Sequence, residues 1–172
     1  DGTYGVKKGP TINNIANLKI PATYNEIPVT TVLESAFSSC DNLITVSIPD
    51  TIKLVGVNAF QTTKNLKEIN IYETKPGEVY EKIYSSDNGV LIREDTGITY
   101  LEAVPRGLTG KYTIPTSVDK ILSKAFYYTG IEELVIPDTV TTVPKYAFYY
   151  CKSLKKIEFT TGRTNPLVLE DY

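Results

Sequence analysis

The pair Ala-Phe recurs at residues 36–37, 59–60, 125–126 and 147–148, with Phe spacings of 23, 66 and 22; since 66 is three periods of 22, the register survives the gap. A second marker keeps the same register: an apolar residue, two spacers, then apolar-x-apolar. It reads Leu43/Val46/Ile48, Leu66/Ile69/Ile71, Ile131/Leu134/Ile136 and Leu154/Ile157/Phe159, with a copy at Ile15/Leu18/Ile20 and a partial one at Thr109/Tyr112/Ile114. A third, apolar-x-x-apolar, runs through Val29/Val32, Ile52/Val55, Val118/Ile121 and Val140/Val143. A segment of 22 residues holds too little core to fold alone, so each copy must bury its apolar side against its neighbours. The chain is expected to be a repeat solenoid.

Apolar-x-apolar has period two, which points alternate side chains inward and leaves those between them in solvent. Strands one repeat apart then pair in parallel at about 4.8 Å, giving a mainly β coil of about 22–23 residues per rung and one long sheet. Four of the five phenylalanines lie in the Ala-Phe column; they are expected to stack into a continuous spine, with Phe60 at its middle. Pro21, Pro49, Pro115 and Pro137 follow the strands. Lacking an N–H, each ends the ladder and turns the chain out.

One domain over residues 1–172 fits this pattern. Residues 1–14 form a polar lead-in with one short strand at best, and 15–72 carry rungs, the first turn lengthened by 24–28. Residues 73–111 are irregular: 73–84 break the period with a Pro76-Gly77 turn signal, and a β-hairpin is inserted near 85–105. In that hairpin a short strand at 90–92 joins a longer one at 98–104 through 93–97. Residues 112–159 resume the rungs and 160–172 form a tail, short for a cap, as in an array cut from a longer protein.

The absence of His, Met and Trp removes the commonest general base and metal ligand. No phosphate loop, CxxC pair, nucleophile elbow or EF-hand loop is present. SSDNG (85–89) superficially suggests calcium but reads better as an Asn-Gly hairpin turn. A net charge of −2 gives no drive toward nucleic acid or an anionic membrane surface. No apolar run approaches the roughly 18–20 residues of a membrane span. Cys40 and Cys151 occupy one repeat position about five rungs, on the order of 24 Å, apart. A disulfide needs Cα atoms within about 7 Å, so two free, buried thiols are expected. No metal or cofactor is expected.

Glycosidases need two carboxylates across the scissile bond. Glu132 and Glu133 are adjacent in a strand and point to different sides; Glu68 and Glu133 share a face some three rungs apart. They are expected to be solvated surface. One outward column reads Asn17, Thr45, Glu68, Lys111, Glu133 and Lys156, its later half alternating in sign, which favours pairing between neighbours. The other reads Lys19, Ser47, Asn70, Thr113, Val135 and Glu158. Glu68, Glu133 and Lys156 are thus either a neutralised face or part of a polar ligand surface. Tyr127-Tyr128 and Tyr149-Tyr150 follow Ala-Phe in consecutive repeats and should stack on one edge, with Tyr146 nearby. Tyrosine gives rigid amphipathic contact area for protein or sugar; the alternative is that one of each pair packs into the core.

The frame Val-x-x-Val-x-x-x-Ala-Phe-x-x-Cys-x-x-Leu-x-x-Val-x-Ile-Pro resembles the BspA-like leucine-rich repeat of bacterial surface proteins, over about residues 12 to 159. Residues 19–37 resemble the repeat that opens such arrays, and 85–115 their recurring hairpin rung. Tyr72 departs from the frame where Pro is expected, as does Gly130 where a polar residue is. The resemblance implies a right-handed leucine-rich-repeat coil, extracellular or cell-surface, without catalytic residues and often adhesive. The expected function is a non-catalytic, monomeric module contacting a host or cell-surface protein or glycan. The alternatives are a structural spacer presenting neighbouring domains and, remotely, a carbohydrate-active enzyme.

Overall fold

The computed structural model describes residues 2–75 and 81–170; the Pro76-Gly77 turn lies outside the described residues. Among the described residues there is no α-helix, only a 3-10 turn at Ile12–Asn14 amid short strands. The expected solenoid is present, with parallel strands pairing one repeat apart. Asn17–Lys19, Thr45–Pro49 and Glu68–Tyr72 form one three-stranded ladder, in which Leu18, Val46 and Ile69 align and Thr45 faces Glu68. Thr109–Thr113, Gly130–Ile136 and Lys156–Phe159 form another, aligning Lys111, Glu133 and Lys156. The apolar-x-apolar columns therefore pair in the expected register.

The apolar-x-x-apolar marker builds a second wall that the sequence pattern left undivided from the turns. Ile27–Val32 pairs with Leu54–Val55, Ile98–Ala103 with Lys120–Ile121, and Thr142–Val143 with Val168–Leu169 in the tail. The lead-in strand Tyr4–Val6 joins this wall beside Ile27–Val32, and Ile12 is buried in the core beneath it.

The single long sheet is not what forms. The hairpin rung divides it, because Tyr84–Asp87, Val90–Asp95 and Ile98–Ala103 make an antiparallel meander between the two ladders. Its first turn is Asn88-Gly89, with φ of 47° and 79°; two successive left-handed residues are what a two-residue hairpin requires, which settles the SSDNG segment as a turn. The second strand extends to Asp95 and turns at Thr96-Gly97, so the link is shorter than the expected 93–97. The core divides with the sheet. Leu91 belongs to the N-terminal cluster, while its neighbours Val90 and Ile92 belong to the C-terminal one.

The phenylalanine spine is likewise two pairs. Phe37 and Phe60 stack with centroids 5.7 Å apart, and Phe126 and Phe148 at 5.1 Å. Val104 occupies the column between them: its N–H bonds the Ala125 carbonyl, as Phe37 bonds Ala59 and Phe126 bonds Ala147. Ala103-Val104 is thus the Ala-Phe of the hairpin rung, in altered form.

Both cysteines are free. Cys40 is buried as expected, but Cys151 is half-buried and donates its S–H to the Phe126 carbonyl at 2.7 Å. Thr63, in the same column, donates to the Phe37 carbonyl at 2.6 Å. In these two turns the position supplies a small hydrogen-bond donor, while Cys40 packs in the N-terminal core as a small hydrophobe. The two departures from the repeat frame also have reasons. Tyr72 reaches back to donate its O–H to the Ile20 carbonyl at 2.6 Å. Gly130 lies where a Cβ would come within 3.0 Å of the Leu108 carbonyl.

Candidate functional site

Each Ala-Phe turn is flanked by two left-handed residues. Ser35 and Ser39, Asn58 and Thr62, Lys124 and Tyr128, and Tyr146 and Tyr150 all have φ between 53° and 65°. This alternation aims successive N–H groups in opposite senses. Ala36, Ser38 and Cys40 bond within the turn, while Ser35, Phe37 and Ser39 bond the next turn at Val57, Ala59 and Gln61. The turns are therefore laddered along the axis as the strands are, and side chains in one column are held in lateral contact.

What those columns carry differs between the halves. In the N-terminal half they hold hydroxyls: Ser38 and Ser39 Oγ each lie 3.0 Å from Thr62 Oγ1. In the C-terminal half they hold tyrosines. Tyr127 stacks on Tyr149 at 5.7 Å with the rings 8° from parallel, and Tyr128 on Tyr150 at 4.6 Å and 3°. Within each turn the neighbouring rings meet edge to face at 4.6 Å, and Tyr146 packs edge-on against Tyr149. None of the four is buried, so neither member of a pair is core.

A left-handed conformation costs a residue with a Cβ about 1–2 kcal/mol, and bulky side chains there are uncommon. Tyr128, Tyr146 and Tyr150 occupy such positions, where the first half carries Ser, Asn or Thr. Aromatic pairing returns about 0.5–1.5 kcal/mol per pair. Cations border the cluster: Arg106 lies 4.6 Å from the Tyr128 ring centre, Lys152 5.4 Å from Tyr150 and Lys145 5.1 Å from Tyr146. Desolvation in the stack, then Tyr127 and Tyr150, pushes the Tyr128 phenol above its ordinary range; Tyr150 and then desolvation do the same for Tyr149. At neutral pH these two phenols therefore keep their O–H donors.

The other candidates fall elsewhere. Glu68 belongs to the first ladder, where the Asn70 amide donates to it at 3.0 Å. Glu133 and Lys156 belong to the second and face each other across strands, as expected. Their charges, however, converge on the neighbouring column. Lys111 and Lys156 bond Glu158 at 2.8 and 2.6 Å, with Glu133 4.0 Å from Lys111. Glu132 pairs instead with Lys155 at 2.7 Å. This face is self-neutralised, and the structure does not bring Glu68 together with Glu133, Lys156 or the tyrosines. Arg106, at the rim of the tyrosine cluster, was not singled out from the sequence. The only signal for it was Ala103-Val104-Pro105-Arg106 read as a degenerate Ala-Phe turn.

The ladder has a pH consequence. Hydrogen bonds from Lys111 and Lys156, then their charges, hold the Glu158 carboxyl down at about 2. A carboxylate with a depressed folded pKa stabilises above its unfolded value near 4.5, and that contribution is lost as pH falls toward 2. The pair is exposed, so the effect is small and screened by salt. Between pH 5 and 2 the parent protein should lose urea resistance more steeply than Glu158→Gln, and the difference should shrink in molar salt. Parallel curves would show that the ladder carries no net coupling.

Among the described residues no helix is long and apolar enough to cross a membrane, and among them no group of three or more potential ligand side chains is placed to hold a metal ion. A profile of the BspA-type leucine-rich repeat region matches six copies over residues 11–89 and 109–165. Comparison with curated protein sequences finds no match. Among solved structures, the chain is similar to the pneumococcal vaccine antigen PcpA, at 19% identity and a TM-score of 0.59 over 84% of this chain and 39% of that one. It is also similar to a leucine-rich repeat protein from Eubacterium ventriosum, at 18% identity and a TM-score of 0.44 over 88% and 62% of the two chains. A leucine-rich cell surface protein from Faecalibacterium prausnitzii follows at 17% identity and a TM-score of 0.33, over 87% and 61%. The likeness to PcpA is one of fold, and the chain spans about 39% of that protein's length.

Proposed function

The chain belongs to the BspA-type leucine-rich repeat family, and from that premise we propose that it is a non-catalytic binding module displayed at a bacterial surface. The module contacts a host or cell-surface protein or glycan through the edge formed by Tyr127, Tyr128, Tyr149 and Tyr150. The observation that carries this reading is the placement of Tyr128 and Tyr150 on left-handed backbone, stacked on each other and flanked by the Tyr127–Tyr149 stack, with none of the four buried. Bulky side chains are uncommon on such backbone, and strain retained at a partly exposed aromatic cluster supports a contact surface. The cationic rim of Arg106, Lys145 and Lys152 adds donors around the rings. Glu68, Glu133 and Lys156 are the outer part of the same proposal, as contacts along the sheet face.

The test is direct binding of the purified protein to immobilised matrix proteins and a glycan array at physiological salt. The variant replaces Tyr127 and Tyr149 by Ser and Tyr128 and Tyr150 by Asn, residues suited to their backbone. Saturable binding by the parent should fall at least about tenfold in the variant, with its circular dichroism retained. Binding that survives the change moves the site to the sheet face. Silence of the parent across both panels favours a spacer that presents neighbouring domains.

A further inference from the structure

The ladder that joins the Ala-Phe turns stops after the Gly56–Thr62 turn. In neighbouring turns Ser35, Phe37 and Ser39 donate to Val57, Ala59 and Gln61, and Phe126 and Tyr128 donate to Ala147 and Tyr149. The matching N–H groups of Asn58, Phe60 and Thr62 have no acceptor among the described residues. The next rung, which should supply one, turns away early. After Ala103-Val104 it runs through Pro105-Arg106-Gly107 and rejoins the strand ladder where Gly107 N–H meets the Leu66 carbonyl at 2.7 Å.

A cleft of about 380 Å³ opens between the two turns. Phe60, Val104, Leu122 and Ala125 line its apolar part, and Arg106 and Tyr127 stand among its polar border. Because Val104 holds the place of a phenylalanine, the aromatic column is one ring short here. Phe60 stacks on Phe37 on one side and borders the cleft on the other; it is 9% exposed, against 2% for Phe37 and 1% for Phe126. The carboxylate bordering the cleft, Glu102, is engaged by Arg93 at 2.9 Å. Arg106 forms no salt bridge among the described residues, so the free charge at this border is positive.

We propose that this cleft binds an extended peptide segment of a partner protein, one that carries an aromatic side chain beside a carboxylate and stands in for the missing turn. Its backbone carbonyls accept from Asn58, Phe60 and Thr62, its ring fills the space above Val104 and stacks on Phe60, and its carboxylate meets Arg106. The mode is addition of an edge to an unpaired backbone ladder, with one pocket setting side-chain choice. It adjoins the tyrosine edge, with which it shares Tyr127 and Arg106.

The test is an amide NMR titration with the synthetic peptide Ac-Ala-Phe-Asp-NH2, compared with Ac-Ala-Leu-Asp-NH2 and Ac-Ala-Phe-Asn-NH2. The first peptide should shift the Asn58, Phe60 and Thr62 amides saturably. Losing either the ring or the charge should weaken binding about tenfold. Val104→Phe fills the cleft from within and should abolish the shifts while keeping a folded spectrum. Should that variant fail to fold, Arg106→Gln decides, because it should erase the preference for Asp over Asn. Absence of shifts at millimolar peptide, shifts scattered over the surface, or undiminished binding by Val104→Phe or Arg106→Gln would overturn the proposal. Val104→Phe leaves the tyrosines and Arg106 in place, so its result separates this cleft from the tyrosine edge.

Discussion

Phe126→Ala should lower the free energy of unfolding by about 3–5 kcal/mol, the range for removing a buried ring without collapse of its surroundings. Phe126 is 1% exposed, packs 5.1 Å from Phe148 and sits in the C-terminal core with Val143 and Ala147. Against the marginal stability of most domains, a loss of this size threatens the fold. The same change at Phe60 should cost clearly less, although the sequence pattern makes Phe60 the centre of the column. Its ring already borders open space, so solvent can enter where the ring was and no sealed void forms. Urea unfolding of both variants checks the pair. Equal losses would mean that the aromatic column continues through the hairpin rung and that the cleft is closed in solution.

Gly56→Ala should cost about 3 kcal/mol, at the upper end of what overpacking does, and more than its single methyl suggests. A Cβ there would lie 2.4 Å from the Glu34 nitrogen and 2.7 Å from the Leu33 carbonyl carbon. Both are backbone atoms and cannot swing aside. The two turns are held together by the Gly56 N–H bond to the Val32 carbonyl at 2.8 Å, so relief must come from separating adjacent rungs and breaking their ladder. Gly9→Ala, where nothing lies within 4 Å, is the matched control and should be neutral in the same melts. A Gly56 variant that melts with the control would show that the rungs can part locally without loss.

The columns of the solenoid were legible because one apolar frame repeats at fixed spacing, and burial of Val46, Ile48, Leu66 and Ile69 is dictated by that frame alone. The tyrosine stack was legible for the same reason: equal positions in consecutive repeats must be lateral neighbours. Three features were not. The flanking left-handed positions carry Ser, Asn, Thr, Lys and Tyr, without a single Gly among them, so the usual residue signal for that conformation is missing. Val104 does not match an Ala-Phe template and stands 44 residues after Phe60, which hid the break in the column. The convergence of Lys111 and Lys156 on Glu158 depends on Lys156 reaching along its own strand and Lys111 reaching across a diagonal. Column reading pairs each residue with its direct neighbour and misses such diagonals.

The strand Val90–Asp95 lends its Leu91 to one core and Val90 and Ile92 to the other, so it is a party wall between two halves. In a linear array, the unfolding of one part is felt by the next only through the interface they share. Here that interface is the hairpin rung, in which Val90–Asp95 has a foot on each side and Ile98–Ala103 sets Leu101 in one core and Ala103 against the other. The strength of this wall decides whether the protein unravels as one cooperative block or as two in succession. Under a pulling force along the chain, a weak wall would let one half extend while the other keeps its shape.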